Sequence, residues 1–151
     1  MKGAYIFDLD GTLCDATPRY KKYVEAQDNW DEFYAHCDED WMHGDVCEVL
    51  EALAKAHFDI LFVTGRRESA RAKTLDWLER TFGPEIAKSE HLFMRSAKDG
   101  FCDDYVSKCR NYREHIKDKW TVRGVFEDRD QCVRAWRDLG LRCYQVDFGG
   151  Y

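Results

Sequence analysis

The sequence predicts an α/β domain, a mostly parallel sheet covered by helices on both faces. Three observations carry this. Short apolar runs of strand length alternate with longer stretches of helical period, the pattern of repeated βαβ units. Polar clusters follow four of the apolar runs directly: Asp8/Asp10, Thr64/Arg66, Arg95 and Glu127/Asp128. Ligands of such sheets bind at the carboxyl ends of the strands, near a topological switch point. Four clusters at successive strand ends therefore point to one shared site.

The elements follow in order. Residues 3–8 form a short apolar run, read as a buried strand that stops at the turn Asp8-Leu9-Asp10-Gly11-Thr12. Residues 44–56 have helical spacing through Val46, Val49, Leu50, Leu53 and Ala54. A second buried strand, 58–63, ends at Thr64-Gly65-Arg66, and a helix over 68–82 puts Leu75, Leu78 and Phe82 on one face with Trp77 beside them. Gly83-Pro84 breaks it. A short strand at 91–94 precedes a helix over 103–116 with Val106 and Cys109 inward. Strand 122–126 ends at Glu127-Asp128, helix 129–139 stops at Gly140, and 141–146 is the last strand. The stretch 14–42 is too long for an ordinary loop and carries Tyr20, Tyr23, Trp30, Phe33, Tyr34 and Trp41. It reads as a small, mostly helical lid inserted over the site, its aromatics either the insertion's own core or a platform for stacked bases.

A chain of 151 residues fits one domain, 1–151, and 44% hydrophobic residues is a normal globular share. With 23 Lys+Arg against 29 Asp+Glu, the net charge of −6 excludes a long phosphate-tracking groove. The 7 Cys are odd in number and form no CxxC pair, as expected of reduced thiols in a cytoplasmic protein. The start MKGAYIFDLDGTL is neither a signal peptide nor a membrane span. The five His show no metal-ligand spacing.

Asp8 and Asp10 stand two apart at a strand end. Close carboxylates suit a hard cation such as Mg²⁺. They equally suit a nucleophile with an acid/base partner, because different surroundings push their pKa values apart. Asp104 and Lys108 fall on one helical face, four apart. Segment 64–74 holds Arg66, Arg67, Arg71 and Lys73 against Glu68, 4 − 1 = +3, a basic stripe in an acidic chain.

The string IFDLDGTL resembles motif I of the haloacid dehalogenase (HAD) phosphatase superfamily, hhhDxDGT. Phe62-Val63-Thr64-Gly65, Lys108 and Val125-Phe126-Glu127-Asp128 resemble its motifs II, III and IV. A nearer likeness is to the phosphatase half of phage polynucleotide kinase–phosphatase. It rests on TGRRES (64–69) with Thr74, Trp77 and Leu78, on Asp103-Asp104 with Lys108, and on the run EDRDQCVRAWRDLGLRCYQV. The ending Phe148-Gly149-Gly150-Tyr151 and Arg19, eleven residues after Asp8, match as well. The likeness covers roughly 3–13 and 58–151; no GxxxxGK[ST] kinase loop occurs. It departs in Glu127, where the relative has Asp, in the shorter segment 95–102, and in the insertion.

The resemblance implies a Rossmann-like HAD fold and a phosphatase working through an aspartyl-phosphate. It makes Asp8 the nucleophile and Asp10 the acid/base. Mg²⁺ would be held by Asp8, Asp128 and the Asp10 main-chain carbonyl, with Glu127 supporting a metal-bound water. Thr64 and Lys108 would serve the phosphoryl oxygens, helped by N–H groups of a helix starting near 66–68, and Asp104 would orient Lys108. Arg19, Arg66 and either Arg95 or Lys98 would take substrate phosphates. The implied substrate is a phosphorylated 3′ end of DNA or RNA, with a separate kinase or ligase as a potential partner. Free mononucleotides are the alternative substrate, and an inactive binding module of the same fold is the alternative of another class.

Overall fold

The computed structural model describes residues 1–150; Tyr151, part of the C-terminal match, lies outside them. Seven strands form: β1 Lys2–Phe7, β2 Cys14–Asp15, β3 Trp41–Met42, β4 Asp59–Arg67, β5 Leu92–Arg95, β6 Trp120–Arg129 and β7 Cys143–Gly149. Six α-helices join them: α1 Thr17–Tyr20, α2 Trp30–Ala35, α3 Gly44–Lys55, α4 Arg71–Phe82, α5 Asp104–Asn111 and α6 Asp130–Asp138. Five strands make one parallel sheet in the order β5-β4-β1-β6-β7. The chain leaves β1 for β4 and β5 on one side, then returns to β6 and β7 on the other, so its direction switches around β1.

Phe7 pairs with Phe62 and with Phe126. That register sets the residues after all three side by side at the carboxyl edge. The period of two decides the two faces. Phe7, Ile60 and Phe62 pack with Leu50, Trp77 and Leu78 under α3 and α4. Ala4, Ile6, Leu61, Val63 and Val125 pack with Ile116, Val133 and Trp136 under α5 and α6. Each large buried side chain contributes about 1.5–3 kcal/mol of transfer free energy. The sheet is therefore a rigid base for whatever its edge carries.

Several elements differ from expectation. β4 and β6 run past their apolar cores, so Thr64–Arg67 and Glu127–Arg129 lie inside strands; the ladder shifts register there and resumes at Arg67 with Arg95 and at Arg129 with Gly149. β7 begins and ends later than 141–146. A 3₁₀ turn, Glu68–Ala70, precedes α4, and a π turn, Tyr112–Ile116, follows α5. Val49 and Val106, expected inward, are exposed. On α5 the inner face is polar, with Ser107, Lys108 and Asn111 buried beside Cys109.

The insertion is mostly helical: α1, a π turn Lys21–Glu25, and α2. Its base is closed by the two-residue antiparallel ribbon β2–β3, which the sequence pattern did not show. Phe33 anchors a small aromatic core, its ring 5.4 Å from Trp30, 5.3 Å from Tyr34 and 6.2 Å from Tyr20. Tyr23 stacks on His36 at 4.9 Å, while Trp41 is 82% exposed and stands outside this core. The insertion is tied to α4 by Trp77 Nε1, which donates to the Asp40 carbonyl at 2.9 Å, and by Arg80, which donates to the Asp38 carbonyl at 2.8 Å.

All seven cysteines are unpaired, and six are buried. No helix among the described residues is long and apolar enough to cross a membrane.

Candidate active site

The edge of β1, β4 and β6 gathers the charges. Asp8 is 4% exposed, and its N–H donates to the Phe126 carbonyl at 3.0 Å, which carries the sheet one residue past β1. The chain then folds back: the N–H groups of Thr12, Leu13 and Cys14 all converge on the Leu9 carbonyl. Gly11 makes this possible at φ +87°, where any side chain would also strike the Asp128 carboxylate. The Thr12 hydroxyl reaches Asp8 Oδ2 at 3.3 Å and Asp128 Oδ1 at 3.2 Å. Its single proton can serve only one of them.

Asp8, Glu127 and Asp128 bring three buried carboxylates together, with one oxygen of each within 4.8 Å of the others. Lys108 Nζ donates to Asp8 at 2.9 Å and to Glu127 at 2.8 Å, and pairs with Asp104 at 3.1 Å. Burial disfavours the Lys108 charge, yet these carboxylates outweigh it and hold the ammonium protonated. Asp8 goes the other way. Burial and then Glu127 push its carboxyl well up, against the pull of Lys108. One ammonium does not neutralise this group. The donor set of hard oxygens with residual negative charge fits a divalent cation such as Mg²⁺.

Glu127 uses its extra methylene. One carboxylate oxygen meets Lys108, while the other curls back to accept the Asp128 and Arg129 N–H groups at 3.2 and 3.4 Å. Asp104 sits tightly against Gly65, where a Cβ would collide with its carboxylate.

Beside this group lies a second cluster. Arg66 is 1% exposed and holds Asp10 with both Nε, at 3.0 Å, and Nη2, at 2.8 Å; its Nη1 donates to Thr74 at 3.2 Å. Arg19, from the insertion, reaches Asp10 at 2.9 Å and grips Asp40 with Nε and Nη2 at 2.9 and 2.7 Å. Two guanidiniums thus meet two carboxylates, 2 − 2 = 0. Burial alone would raise Asp10, but Arg66 and then Arg19 outweigh it and hold the carboxyl well below the usual range. Burial pushes Asp40 up against the grip of Arg19. The Asp10, Cys14 and Asp40 grouping is therefore already filled by arginine.

The remaining predicted residues are spread around these two groups. The Thr64 hydroxyl accepts the Arg66 N–H at 3.1 Å, leaving its own proton to donate outward. The helical start expected near 66–68 falls at the late end of that range: Arg66 and Arg67 are in β4, the 3₁₀ turn begins at Glu68, and α4 follows from Arg71. The basic stripe disperses for the same reason. Arg66 points inward, Arg71 pairs with Glu68 at 2.7 Å, and Lys73 lies 3.7 Å from Asp38. Arg95 donates to the Gly65 and Cys102 carbonyls at 3.2 and 2.6 Å and lies 3.8 Å from Asp104. Lys98 is exposed and pairs with Glu114 at 3.3 Å, so Arg95 is the one of the two that faces the site. Sequence reading missed Asp40 and named Thr74 without a role; the two complete the arginine cluster. Asp40 sits in an acidic run, Asp38-Glu39-Asp40, that looks solvated, and nothing in its spacing signals a partner.

A parallel sheet switching around a central strand that ends in DLDGT, with a buried lysine and acids at the neighbouring edge, defines a HAD-type phosphatase domain. The chain belongs to the family described as the polynucleotide kinase PNKP phosphatase domain, whose model matches residues 2–151. It is 34% identical over 139 residues to a protein of Autographa californica nuclear polyhedrosis virus described as a bifunctional polynucleotide kinase/RNA ligase. That match takes in 91% of this chain and 18% of the viral protein, so the chain spans less than a fifth of that relative. A chain of a Pnkp1/Rnl/Hen1 complex superposes with a TM-score of 0.81 at 26% identity, covering all of this chain and 48% of the other. The class C acid phosphatase of Bacillus anthracis shares the fold, with a TM-score of 0.74 at 20% identity over 99% of this chain and 68% of its own.

Proposed function

We propose that residues 1–151 are one phosphatase domain with a lid at 14–42, and that it removes 3′-phosphates from nucleic-acid ends through an aspartyl-phosphate on Asp8. The family match over residues 2–151 carries this reading. Asp8 attacks phosphorus, forming the Oδ–P bond as the P–O bond to the 3′ oxygen breaks. Asp10 gives the leaving oxygen its proton, then takes one from the water that hydrolyses the intermediate. Arg66 and Arg19 hold Asp10 ionised in the resting site; a phosphate dianion arriving beside it works against them and raises its pKa toward the protonated form the first step needs. Arg19 and Arg66, both committed to Asp10, fix its orientation. Thr64 and Lys108 donate to the phosphoryl oxygens, and Asp104 steadies Lys108. Asp8, Asp128 and the Asp10 main-chain carbonyl would hold Mg²⁺, with Glu127 behind them. The ion would supply the charge that lets a carboxylate approach a phosphate. The relatives described as kinase/ligase and as a complex with Rnl and Hen1 support a place in end repair, before a ligase joins the healed 3′-hydroxyl.

The test is phosphate release with Mg²⁺ from a 3′-phosphorylated oligonucleotide, a 3′-mononucleotide and a 5′-mononucleotide. Fastest release is expected from the oligonucleotide. Faster release from a mononucleotide would make the domain a nucleotidase with the Asp8 chemistry intact. Release from none would make it a binding module.

A further inference from the structure

The site's arginines are nearly all spent within the protein. Arg19 and Arg66 are held by Asp10 and Asp40, Arg95 lies by Asp104, and Arg129 lies 3.6 Å from the same carboxylate. Arg67 is different. It ends β4, opposite Arg95 of β5 in the sheet register, at the same carboxyl edge as the catalytic groups. Among the described residues its guanidinium meets no carboxylate. It lies instead 5.4 Å from the ring centroid of Tyr34 and 6.0 Å from that of Phe101.

These two rings come from opposite banks. Tyr34 belongs to the lid, and its half-buried phenol is pushed up by burial and then by the Asp10 carboxylate, so it stands near the acid. Phe101 belongs to the loop between β5 and α5 and is 98% exposed, so burial gives no reason for it. A phenylalanine wholly in water, beside a guanidinium with no counter-ion, at the mouth of a phosphate site, offers two contacts at once. A base has a π-face for the ring, and a phosphodiester has oxygens for the guanidinium.

We infer that Arg67 and Phe101, backed by Tyr34, form a subsite for the nucleotide next to the terminal one. Arg67 binds the phosphodiester linking it to the 3′-terminal residue, and Phe101 stacks on its base. This rests on the 3′-phosphatase reading above and gives it a physical basis for preferring a chain end to a free nucleotide. A mononucleotide has neither the linking phosphodiester nor the second base. Sequence reading counted Arg67 only as part of the basic stripe and gave Phe101 no role.

The test is selectivity, the ratio of kcat/KM on a short 3′-phosphorylated single-stranded oligonucleotide to kcat/KM on the 3′-mononucleotide. Arg67→Ala and Phe101→Ala are each expected to lower that ratio about tenfold, within the range of one base stack or one phosphate contact, and to do so mainly by raising KM for the oligonucleotide. Arg67→Ala is also expected to flatten the log–log salt dependence of that KM by about 0.7, as for one lost phosphate contact on a single strand. Phe101→Ala is expected to leave the salt slope as it is. If the wild type prefers the oligonucleotide and both variants keep its full preference, the subsite is refuted and the 3′-phosphatase reading stands. If the wild type has no such preference, that reading falls and the subsite falls with it.

Discussion

Asp40→Asn tests the buried arginine cluster. Arg19 and Arg66 balance Asp10 and Asp40, and the side chains of Arg19, Arg66 and Asp40 are all less than 5% exposed. The substitution keeps the shape and leaves a buried charge of +1. Breaking a fully buried pair from one side costs about 3–5 kcal/mol. Asp10 keeps 28% of its side chain exposed and can draw in water, and burial already works against the Asp40 charge, so no more than the low end, about 3 kcal/mol, applies. In a domain of this size that lowers Tm by roughly 6–12 °C. Arg19→Met leaves −1 and is expected to cost a similar amount. Combining the two leaves Arg66 with Asp10, again neutral. The double variant is therefore expected to lose about 2 kcal/mol less than the sum of the singles. Urea unfolding of the four proteins measures this. Additivity within about 0.5 kcal/mol would refute the idea that the four charges act as one unit.

Asp8→Asn is expected to abolish phosphate release yet melt no lower than wild type, because burial and Glu127 already oppose the Asp8 charge; a clear fall in Tm would contradict that. Mg²⁺ at a hundredfold excess over its Kd is expected to stabilise the wild type by about 2.7 kcal/mol, and a thermal shift that persists in Asp128→Asn would place the ion elsewhere. His91 is buried with Nδ1 3.1 Å from the Ile60 carbonyl, and burial holds its imidazole below the ordinary value. The unfolded chain thus takes a proton first, near pH ~6.5. Stability is expected to fall as pH drops below that value, until the folded state's own lower pKa is reached. His91→Gln should flatten the pH 7.5 to 5.5 difference in urea midpoint; an unchanged difference would acquit His91.

The sequence carried the sheet well because strand and core coincide there. Residues 3–7, 60–63 and 124–126 are apolar on both faces, so burial alone marks them. It carried the turn DLDGT because Gly11 and two nearby acids leave few structural options. It did not carry where β4 and β6 end. Arg66 and Glu127 sit in fully buried strand positions, and a buried charge is favourable only when partners arrive from elsewhere. Those partners, Asp10, Thr74 and Lys108, are 8 to 56 residues from them. No local pattern contains them. The inner face of α5 misled for the same reason: Lys108 takes the place where an apolar residue would normally go, and Val106 is left in water.

The arginine cluster also explains why the insertion holds one part of the site. Arg19 and Asp40 stand near the two ends of the insertion, and β2–β3 ties those ends together. Both reach Asp10 or its partner Arg66. Displacing the lid would therefore strip Asp10 of one guanidinium and Arg66 of one carboxylate together. The middle of the lid meets no such demand, because Trp30 and Tyr20 need only cover Phe33. Swapping residues 22–31 for another sequence of helical pattern is then expected to cost stability but leave kcat on a small phosphomonoester within about threefold, a change under about 1 kcal/mol in barrier. Substituting Asp40 is expected to lower kcat well beyond that. Equal losses from the two changes would show that the lid acts as a bulk cover, with no electrostatic tie to the acid.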